Sequence, residues 1–411
     1  MYMYCSMYFL CSGLSSKTPP VSARSYAGED QTALTFVLHT IKYGAGAKEG
    51  LPSSLAIKIH AEGEPQREAS AGILLYEVYF YTQLLDSVPV KTPRPLAIWT
   101  DGSDGTDASA PAMRYFALMM EDMSIENDVF DSTCLNPDRT MTVDQIRATN
   151  KQQLAIHDRF WNSPLIDVYP MTNPGKGILD NFRSGLPALE GQWKTMKEQA
   201  ALKAKKHNAD LWGPGLAGWP ESWNEFIPFL DDFCKLETAE RFLANLEVAW
   251  KDRPCTLLHG DVNTGNLWQR KDGSSGDELV FGDWQLIMKS PIAWDFVTIF
   301  LCTKGVDTVA LLKEYYAELL NVRPEVAETY PYETLLNDVA VSMTLFWIVA
   351  IPILAGVASA DLPEDKEAFT WKSYIGPFLA SQTMQVIDQY DSVPQSVQRR
   401  PRGHLQVKGA G

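Results

Sequence analysis

The chain has 411 residues, 45% of them hydrophobic and 21% charged, which excludes a disordered or fibrous protein and predicts about two to three domains or lobes. The formal net charge of −15 argues against nucleic-acid binding through a general positive field. Six scattered cysteines without a Cys-x-x-Cys pair argue against a metal knuckle or a dense disulfide framework, and they favour a reducing, cytoplasmic location.

The first segment, residues 1–14, is apolar but lacks the basic flank of a secretory signal. We therefore expect residues 1–21 to form a disordered extension. A signal segment or membrane anchor remains the alternative for this stretch.

A strand-rich part follows, and we assign residues 22–121 to a small N-terminal lobe that binds nucleotide. Apolar residues at helical spacing predict one helix over 69–87, and this helix carries Glu77. Stretches rich in β-branched and aromatic side chains predict strands at 32–44, 55–60, 92–100 and 114–123.

Lys58 stands inside the apolar strand "LAIKIH", residues 55–60. A buried ammonium group is costly unless it is paired, so Lys58 needs a partner or access to water. One interpretation is a cation aimed at nucleotide phosphates and steadied by the carboxylate of Glu77. The other is an edge strand with Lys58 in solvent and Glu77 on the exposed face of its helix.

The chain changes character after about residue 125, and we assign residues 122–390 to a larger helical lobe. The tail, 391–411, is polar and rich in proline and glycine, so we expect it to be disordered. Helices are predicted over 143–163, over 193–206, over 222–250 with a break near Pro228, and beyond about residue 305.

One segment in this part, residues 339–358, approaches the length of a membrane span. Pro352 interrupts it, and no basic flank sets an orientation. We expect a buried helix and no membrane partner. A membrane-anchored protein stays the alternative.

The loop in "LLHGDVNTGNLW", residues 257–268, has the groups that phosphoryl transfer requires. Asp261 can accept the proton of an attacking hydroxyl, and Asn266 offers an amide oxygen to Mg²⁺. Asp283 comes just after the apolar residues of the short strand predicted at 279–284, where it can bridge metal ions. The polar turn between Asn266 and Asp283 predicts a hairpin that brings both to neighbouring strand ends.

Two histidines need a separate interpretation. His259 follows an apolar strand, where a neutral imidazole can tie loop backbone groups together, so we interpret it as structural support. His157 lies among aromatic residues on a predicted helix, and we interpret it as a hydrogen-bonded core histidine.

The strings "HGDVNTGNLW" and "VFGDWQLIMKSPIAWDF" resemble the aminoglycoside phosphotransferase and choline kinase-like superfamily. The strings "YEVYFYTQLL" and "LAIHDRFWNS" are similar to its ecdysteroid kinase-like (CHK kinase-like) group. The resemblance spans residues 28–358. It implies an α+β, protein kinase-like bilobal fold with a small strand-rich N-lobe, a large helical C-lobe, and ATP and Mg²⁺ as cofactors.

The resemblance also implies a role for each site residue. Lys58 would hold the α- and β-phosphates with Glu77 as its partner, and Asp261 would be the catalytic base. Asn266 and Asp283 would be the Mg²⁺ ligands, and Asp295 would brace the catalytic loop through buried hydrogen bonds. The adenine edge would be met by backbone groups of Met119, Met120 and Glu121.

The phosphate loop is where the sequence departs from this pattern. The segment "SARSYAGEDQ", residues 22–31, contains only Gly28, whereas a phosphate-binding loop needs glycines so that backbone N–H groups can approach the phosphates. This departure favours an alternative, a kinase-like protein that binds nucleotide or another ligand without transfer.

The expected function is ATP- and Mg²⁺-dependent phosphorylation of a hydroxyl group on a small molecule. A protein substrate is disfavoured, because "LIMKSPIAWDF" reaches the next helix with no evident activation loop. The sequence does not identify the acceptor, and a steroid, a choline-like amine and an aminoglycoside all remain open.

Overall fold

The structure is a computed structural model. Gly28, residues 1–21 and residues 391–411 lie outside the part it describes. The described residues are 23–25, 33–38, 52–60, 64–102, 106–107, 109, 113, 115–130, 140–171, 173–206, 222–272, 278–303 and 305–359.

A five-stranded antiparallel sheet forms the N-terminal part. Its strands are β1 (Ala23–Ser25), β2 (Ala33–Leu38), β3 (Leu55–His60), β4 (Pro95–Thr100) and β5 (Phe116–Glu121). They lie side by side in the order β1-β2-β3-β5-β4. β3 pairs with β2 on one side and β5 on the other, with Lys58 opposite Thr35 and Leu118. Lys58 is therefore on an interior strand, and the edge-strand interpretation is wrong.

The predicted helix between β3 and β4 is present as α1, Glu64–Tyr79. It continues into a wide π-helical turn, Phe80–Leu84, and a short 3-10 turn, Leu85–Ser87. Glu77 lies on its buried side, since its side chain is 1% exposed. α1 is the element that carries a carboxylate to the inner face of the sheet.

The remaining helices form most of the C-terminal part. They are α2 (Val143–Phe160), α3 (Lys176–Lys206), α4 (Ser222–Phe233), α5 (Leu236–Lys251), α6 (Ala293–Leu301), α7 (Thr308–Val322), α8 (Val326–Thr329) and α9 (Tyr332–Ser359). α2 begins with a capping box, in which Thr142 and Gln145 satisfy each other's backbone N–H groups.

The break expected near Pro228 lies elsewhere, so that prediction is wrong. Pro228 is inside α4, and the chain leaves the helix after Phe233. Lys235 adopts an extended conformation, with φ −65° and ψ 134°, and its carbonyl accepts hydrogen bonds from Thr238 and Ala239. A proline removes one helical hydrogen bond, and here the apolar neighbours packed in the core keep the helix intact.

Two small antiparallel sheets lie within this helical part. In the first, β7 (Thr256–Leu258) pairs with β10 (Met288–Ser290). The second consists of β6 (Asn127–Val129), β8 (Leu267–Arg270) and β9 (Leu279–Phe281), and β8 pairs with both of the others. The β8–β9 hairpin is the one predicted from the polar turn.

The described residues thus form helices and small antiparallel sheets, which confirms the predicted α+β class, while the division into two lobes stays a prediction. One helix among them, over Tyr332–Pro352, is long and apolar enough to cross a membrane by length and composition, and 82% of that window is buried inside the protein. The expected buried helix over 339–358 therefore exists as part of α9.

Candidate active site

Lys58, on β3, pairs with one carboxylate on α1 and with one in the turn after β9 of the C-terminal part. Its Nζ lies 2.7 Å from Glu77 Oε2 and 2.6 Å from Asp283 Oδ1. The side chains of Lys58 and Glu77 are 8% and 1% exposed, whereas that of Asp283 is 30% exposed. We call Lys58, Glu77 and Asp283 the ion triad.

Burial and charge oppose each other within the ion triad. Burial alone would lower the pKa of Lys58, but the charges of Asp283 and Glu77 outweigh it and raise that pKa. Burial raises the pKa of Glu77 to about 7 against the attraction of Lys58, and the nearby charge of Asp283 adds to the rise. The pairing therefore keeps Lys58 cationic, while burial works against the charged form of Glu77.

An aromatic stack fixes α1 against the turn that carries Asp283. The rings of Phe80 and Trp284 lie 4.0 Å apart with an interplanar angle of 7°. Trp284 also donates its indole N–H to Phe281 O at 3.0 Å and to Thr92 Oγ1 at 3.2 Å. Phe80 and Trp284 are fully buried, so this contact holds the distance between Glu77 and Asp283.

The loop between β7 and β8 depends on a glycine. Gly260 has φ 84°, a left-handed conformation that disfavours side chains. A Cβ at this position would lie 2.0 Å from the carbonyl oxygen of Leu286. Glycine at position 260 is therefore required by the close approach of the Leu286 backbone as well as by its own left-handed conformation.

Asp295, at the start of α6, holds this loop by hydrogen bonds to its backbone. Its Oδ1 accepts a hydrogen bond from the Gly260 N–H at 2.7 Å, and its Oδ2 accepts one from the His259 N–H at 3.1 Å. The indole of Trp294 donates to Gly260 O at 2.8 Å. The backbone on the N-terminal side of Asp261 is thus bound on both its N–H and C=O groups.

Behind Asp295 lies a fully buried pair of side chains that the sequence did not connect to the site. His157 Nε2 lies 3.3 Å from Asp295 Oδ2, and His157 Nδ1 lies 2.6 Å from the hydroxyl of Tyr315. Because a carboxylate only accepts, a neutral His157 carries its hydrogen on Nε2 and accepts from Tyr315. We call Tyr315, His157 and Asp295 the loop brace.

His259 is a neutral connector between the loop and the β9 strand end. Its Nε2 lies 2.9 Å from Gly282 O, and its Nδ1 accepts from the Asp261 N–H at 3.3 Å. Burial lowers its pKa, which keeps the ring uncharged. These contacts fit the structural role predicted for His259.

Asp261 is partly exposed to solvent. Its Oδ1 accepts a hydrogen bond from Asn263 Nδ2 at 2.8 Å, and its Oδ2 accepts one from Asn266 Nδ2 at 3.0 Å. Burial and the charge of Asp283 raise the pKa of Asp261 to about 6, while the two amide donors pull it down.

Asn266 and Asp283 come together through the hairpin. The Gly282 N–H donates to Asn266 O at 3.0 Å, and Asp283 directly follows Gly282. Asp283 has φ 61° and ψ 65°, a left-handed conformation that Asp tolerates better than most residues. Because Asn266 directs its Nδ2 at Asp261, its amide oxygen is left for another partner such as a cation.

The strand expected to meet an adenine ring belongs to the five-stranded sheet. Met119 and Met120 lie inside β5, paired with β3 on one side and β4 on the other. The backbone N–H of Glu121 donates to Arg94 O at 2.9 Å. The contact of these three residues with an adenine edge stays a prediction.

Sequence reasoning thus named Lys58, Glu77, Asp261, Asn266 and Asp283, and the structure joins all five through direct contacts and one hairpin. It missed Asn263, whose signal was its place two residues after Asp261 and two before a glycine.

The sequence left five tryptophans open as core or pocket wall. Trp161, Trp193 and Trp347 are buried in the core, and Trp212 and Trp219 lie outside the described residues.

No protein-family model and no curated protein matches the chain. The fold is similar to solved structures of aminoglycoside phosphotransferases and of choline or ethanolamine kinases. One is an ADP-bound aminoglycoside phosphotransferase, with 11% identity, covering 93% of this chain and 97% of that chain, at a TM-score of 0.40. A choline kinase from Streptococcus pneumoniae has 10% identity, 95% and 100% coverage and a TM-score of 0.43. A choline kinase from Cryptosporidium parvum has 11% identity, 96% and 97% coverage and a TM-score of 0.45.

Proposed function

We propose that this protein is an ATP- and Mg²⁺-dependent phosphotransferase that phosphorylates a hydroxyl group of a small molecule, with Asp261 as the base. One observation carries the proposal. A cation on the sheet, Lys58, pairs directly with Asp283, and Asp283 follows the hairpin that also holds Asn266 against Asp261. Phosphoryl transfer depends mainly on such positioning of charge around the phosphates and the attacking hydroxyl.

The donor set fits Mg²⁺. This ion prefers hard oxygen ligands and keeps several waters, so it needs only one or two protein oxygens besides the phosphates. Asn266 and Asp283 supply such oxygens, and among the described residues no group of three or more His, Cys, Asp or Glu could hold a metal by itself. When bound, Mg²⁺ would supply neutralisation of charge on the phosphates.

Asp261 has the surroundings of a general base. The residue as a whole is partly exposed, and its two carboxylate oxygens already accept from amide donors that keep it oriented. The acceptor hydroxyl would donate its proton to Asp261 as the oxygen attacks the terminal phosphoryl group. Lys58 would hold phosphate oxygens, which requires its ion pair with Asp283 to open when nucleotide enters.

The test is a screen of hydroxyl-bearing compounds with γ-labelled ATP, including a steroid, a choline-like amine and an aminoglycoside. Asp261→Asn keeps the shape of the side chain but removes the base, so we expect turnover to fall by at least about 100-fold. Nucleotide binding, measured by thermal shift with ATP in the presence and absence of Mg²⁺, should be retained.

Full activity of Asp261→Asn would exclude Asp261 as the base. A Mg²⁺-dependent thermal shift without transfer to any acceptor would instead favour the alternative, a nucleotide-binding protein of kinase-like fold. The two results separate binding from chemistry at the same site.

A further inference from the structure

The geometry points to Asn263 as a positioning residue that fixes the plane of the Asp261 carboxylate toward the acceptor. The inference rests on the proposed function, because it concerns the orientation of the base. Asn263 is buried, with 9% of its surface exposed, and its side chain contacts Asp261 directly.

The orientation of the Asn263 amide follows from its partners. Its Oδ1 accepts a hydrogen bond from the Gly265 N–H at 2.8 Å, and its Nδ2 donates to Asp261 Oδ1 at 2.8 Å. A backbone N–H can only donate and an ionised carboxylate can only accept, so the reversed amide would lose both contacts. The Asn263 side chain therefore has one orientation that satisfies this loop.

The backbone of Asn263 is fixed as well. Its N–H donates to Asp261 O at 2.9 Å, and its carbonyl accepts from the Asn266 N–H at 3.1 Å. The turn from Asn263 to Asn266 thus places both amide side chains on the same carboxylate. Asn263 is held at three points before it contacts Asp261.

Each oxygen of Asp261 has its own amide donor. Asn266 Nδ2 contacts Oδ2, while it also donates to the Asp261 carbonyl at 2.9 Å. Rotation about the Cβ–Cγ bond moves both carboxylate oxygens together, so with Asn266 alone a single hydrogen bond to the carboxylate opposes it. The donor from Asn263 adds a second hydrogen bond that this rotation would break, and a general base works best when its lone pair is aimed at the hydroxyl.

Asn263 and Asn266 therefore have different tasks. Asn266 would also offer its amide oxygen to Mg²⁺, so replacing it would disturb metal and base together. The oxygen of Asn263 is instead bound to the Gly265 N–H within the loop. Changes at Asn263 therefore test the orientation of the base without removing a proposed Mg²⁺ ligand.

The experiment compares Asn263→Asp and Asn263→Ser with the wild type in the transfer assay. Both variants retain an oxygen that can accept from Gly265, and both lose the N–H donor to Asp261. We expect kcat to fall by about 10- to 100-fold in each, with the KM for ATP unchanged, because misplacing a catalytic group lowers the rate of the chemical step. Asn321→Asp, on the exposed surface of α7, is the control and should keep wild-type kinetics.

Each outcome decides the inference. Wild-type kcat in both Asn263 variants would overturn it, and so would a loss confined to Asn263→Asp, which would be an effect of added charge. A raised KM for ATP with unchanged kcat would assign Asn263 to nucleotide binding instead. If thermal unfolding shows that one variant is unfolded, the other decides. A wild type silent toward every acceptor would overturn the proposed function first, and this inference with it.

Discussion

Two buried carboxylates of the site are stabilised by different kinds of partner, one by an ion pair and the other by backbone hydrogen bonds. Glu77 and Asp295 each have 1% of their side chain exposed. Glu77 is paired with the ammonium group of Lys58, which it shares with Asp283. Asp295 is held by the backbone N–H groups of His259 and Gly260 and by His157.

The difference separates exchangeable from permanent contacts. A lysine that two carboxylates share can exchange one of them for another anion, such as phosphate, without leaving a buried charge unpaired. Backbone N–H donors cannot be exchanged in this way, because losing their acceptor leaves buried polar groups unsatisfied. The ion triad is thus suited to receive a ligand, and the loop brace is suited to keep Asp261 still.

Removal of the shared cation is the change with the largest expected effect. Lys58→Met leaves Glu77 buried beside Asp283 with no cation, and breaking such a buried pair costs about 3–5 kcal/mol of unfolding free energy. We expect that loss in denaturant unfolding, together with loss of detectable phosphotransfer. The double variant Lys58→Met/Glu77→Leu should recover most of the stability and none of the activity.

The matched control is Lys91→Met. Lys91 pairs with Glu278 at 2.6 Å, the same separation as in the ion triad, but the two side chains are 51% and 48% exposed. An exposed pair is worth about 0–1 kcal/mol, so this variant should remain close to the wild type. Equal losses at Lys58 and Lys91 would show that burial does not distinguish the ion triad.

Asp295→Asn tests the other region and should have the next largest effect. The amide retains one oxygen, so its NH₂ group must face the N–H of either His259 or Gly260, and the mismatch should cost about 1–3 kcal/mol. We expect faster hydrogen exchange at the amides of His259 and Gly260 and a lower kcat, with nucleotide affinity unchanged. A loss of nucleotide affinity without faster hydrogen exchange at His259 and Gly260 would remove the distinction between the ion triad and the loop brace.

Much of this arrangement could be predicted because it follows from local pattern. An apolar strand with one lysine, a helix with a glutamate among apolar residues and the spacing from Asp261 to Asn266 were all visible in the sequence. Contacts that depend on tertiary packing were not. The ion pair between Lys58 and Asp283 joins residues 225 apart, and Pro228 stays helical because its neighbours are buried in the core.

The stack of Phe80 on Trp284 supports the ion triad from both sides, and its loss should have a smaller effect. Phe80→Leu keeps an apolar side chain but removes the stacked ring, which we expect to cost about 1–2 kcal/mol of unfolding free energy. Because Trp284 follows Asp283, the KM for ATP should rise as the ion triad loosens. Stability loss with unchanged KM would indicate that the stack is structural only.

The smallest expected effect comes from Tyr315→Phe, which removes the hydroxyl 2.6 Å from His157 and leaves the ring in place. Loss of one buried hydrogen bond costs about 0.5–1.5 kcal/mol. Tyr316→Phe is a close control. Tyr316 is the next residue on α7, and its hydroxyl donates to Tyr330 O at 3.2 Å, away from His157. Both variants should lose similar stability, but only Tyr315→Phe should lower kcat, since only its hydroxyl reaches Asp295 through His157. Equal kcat in the two variants would confine the loop brace to Asp295 and make His157 an ordinary core residue.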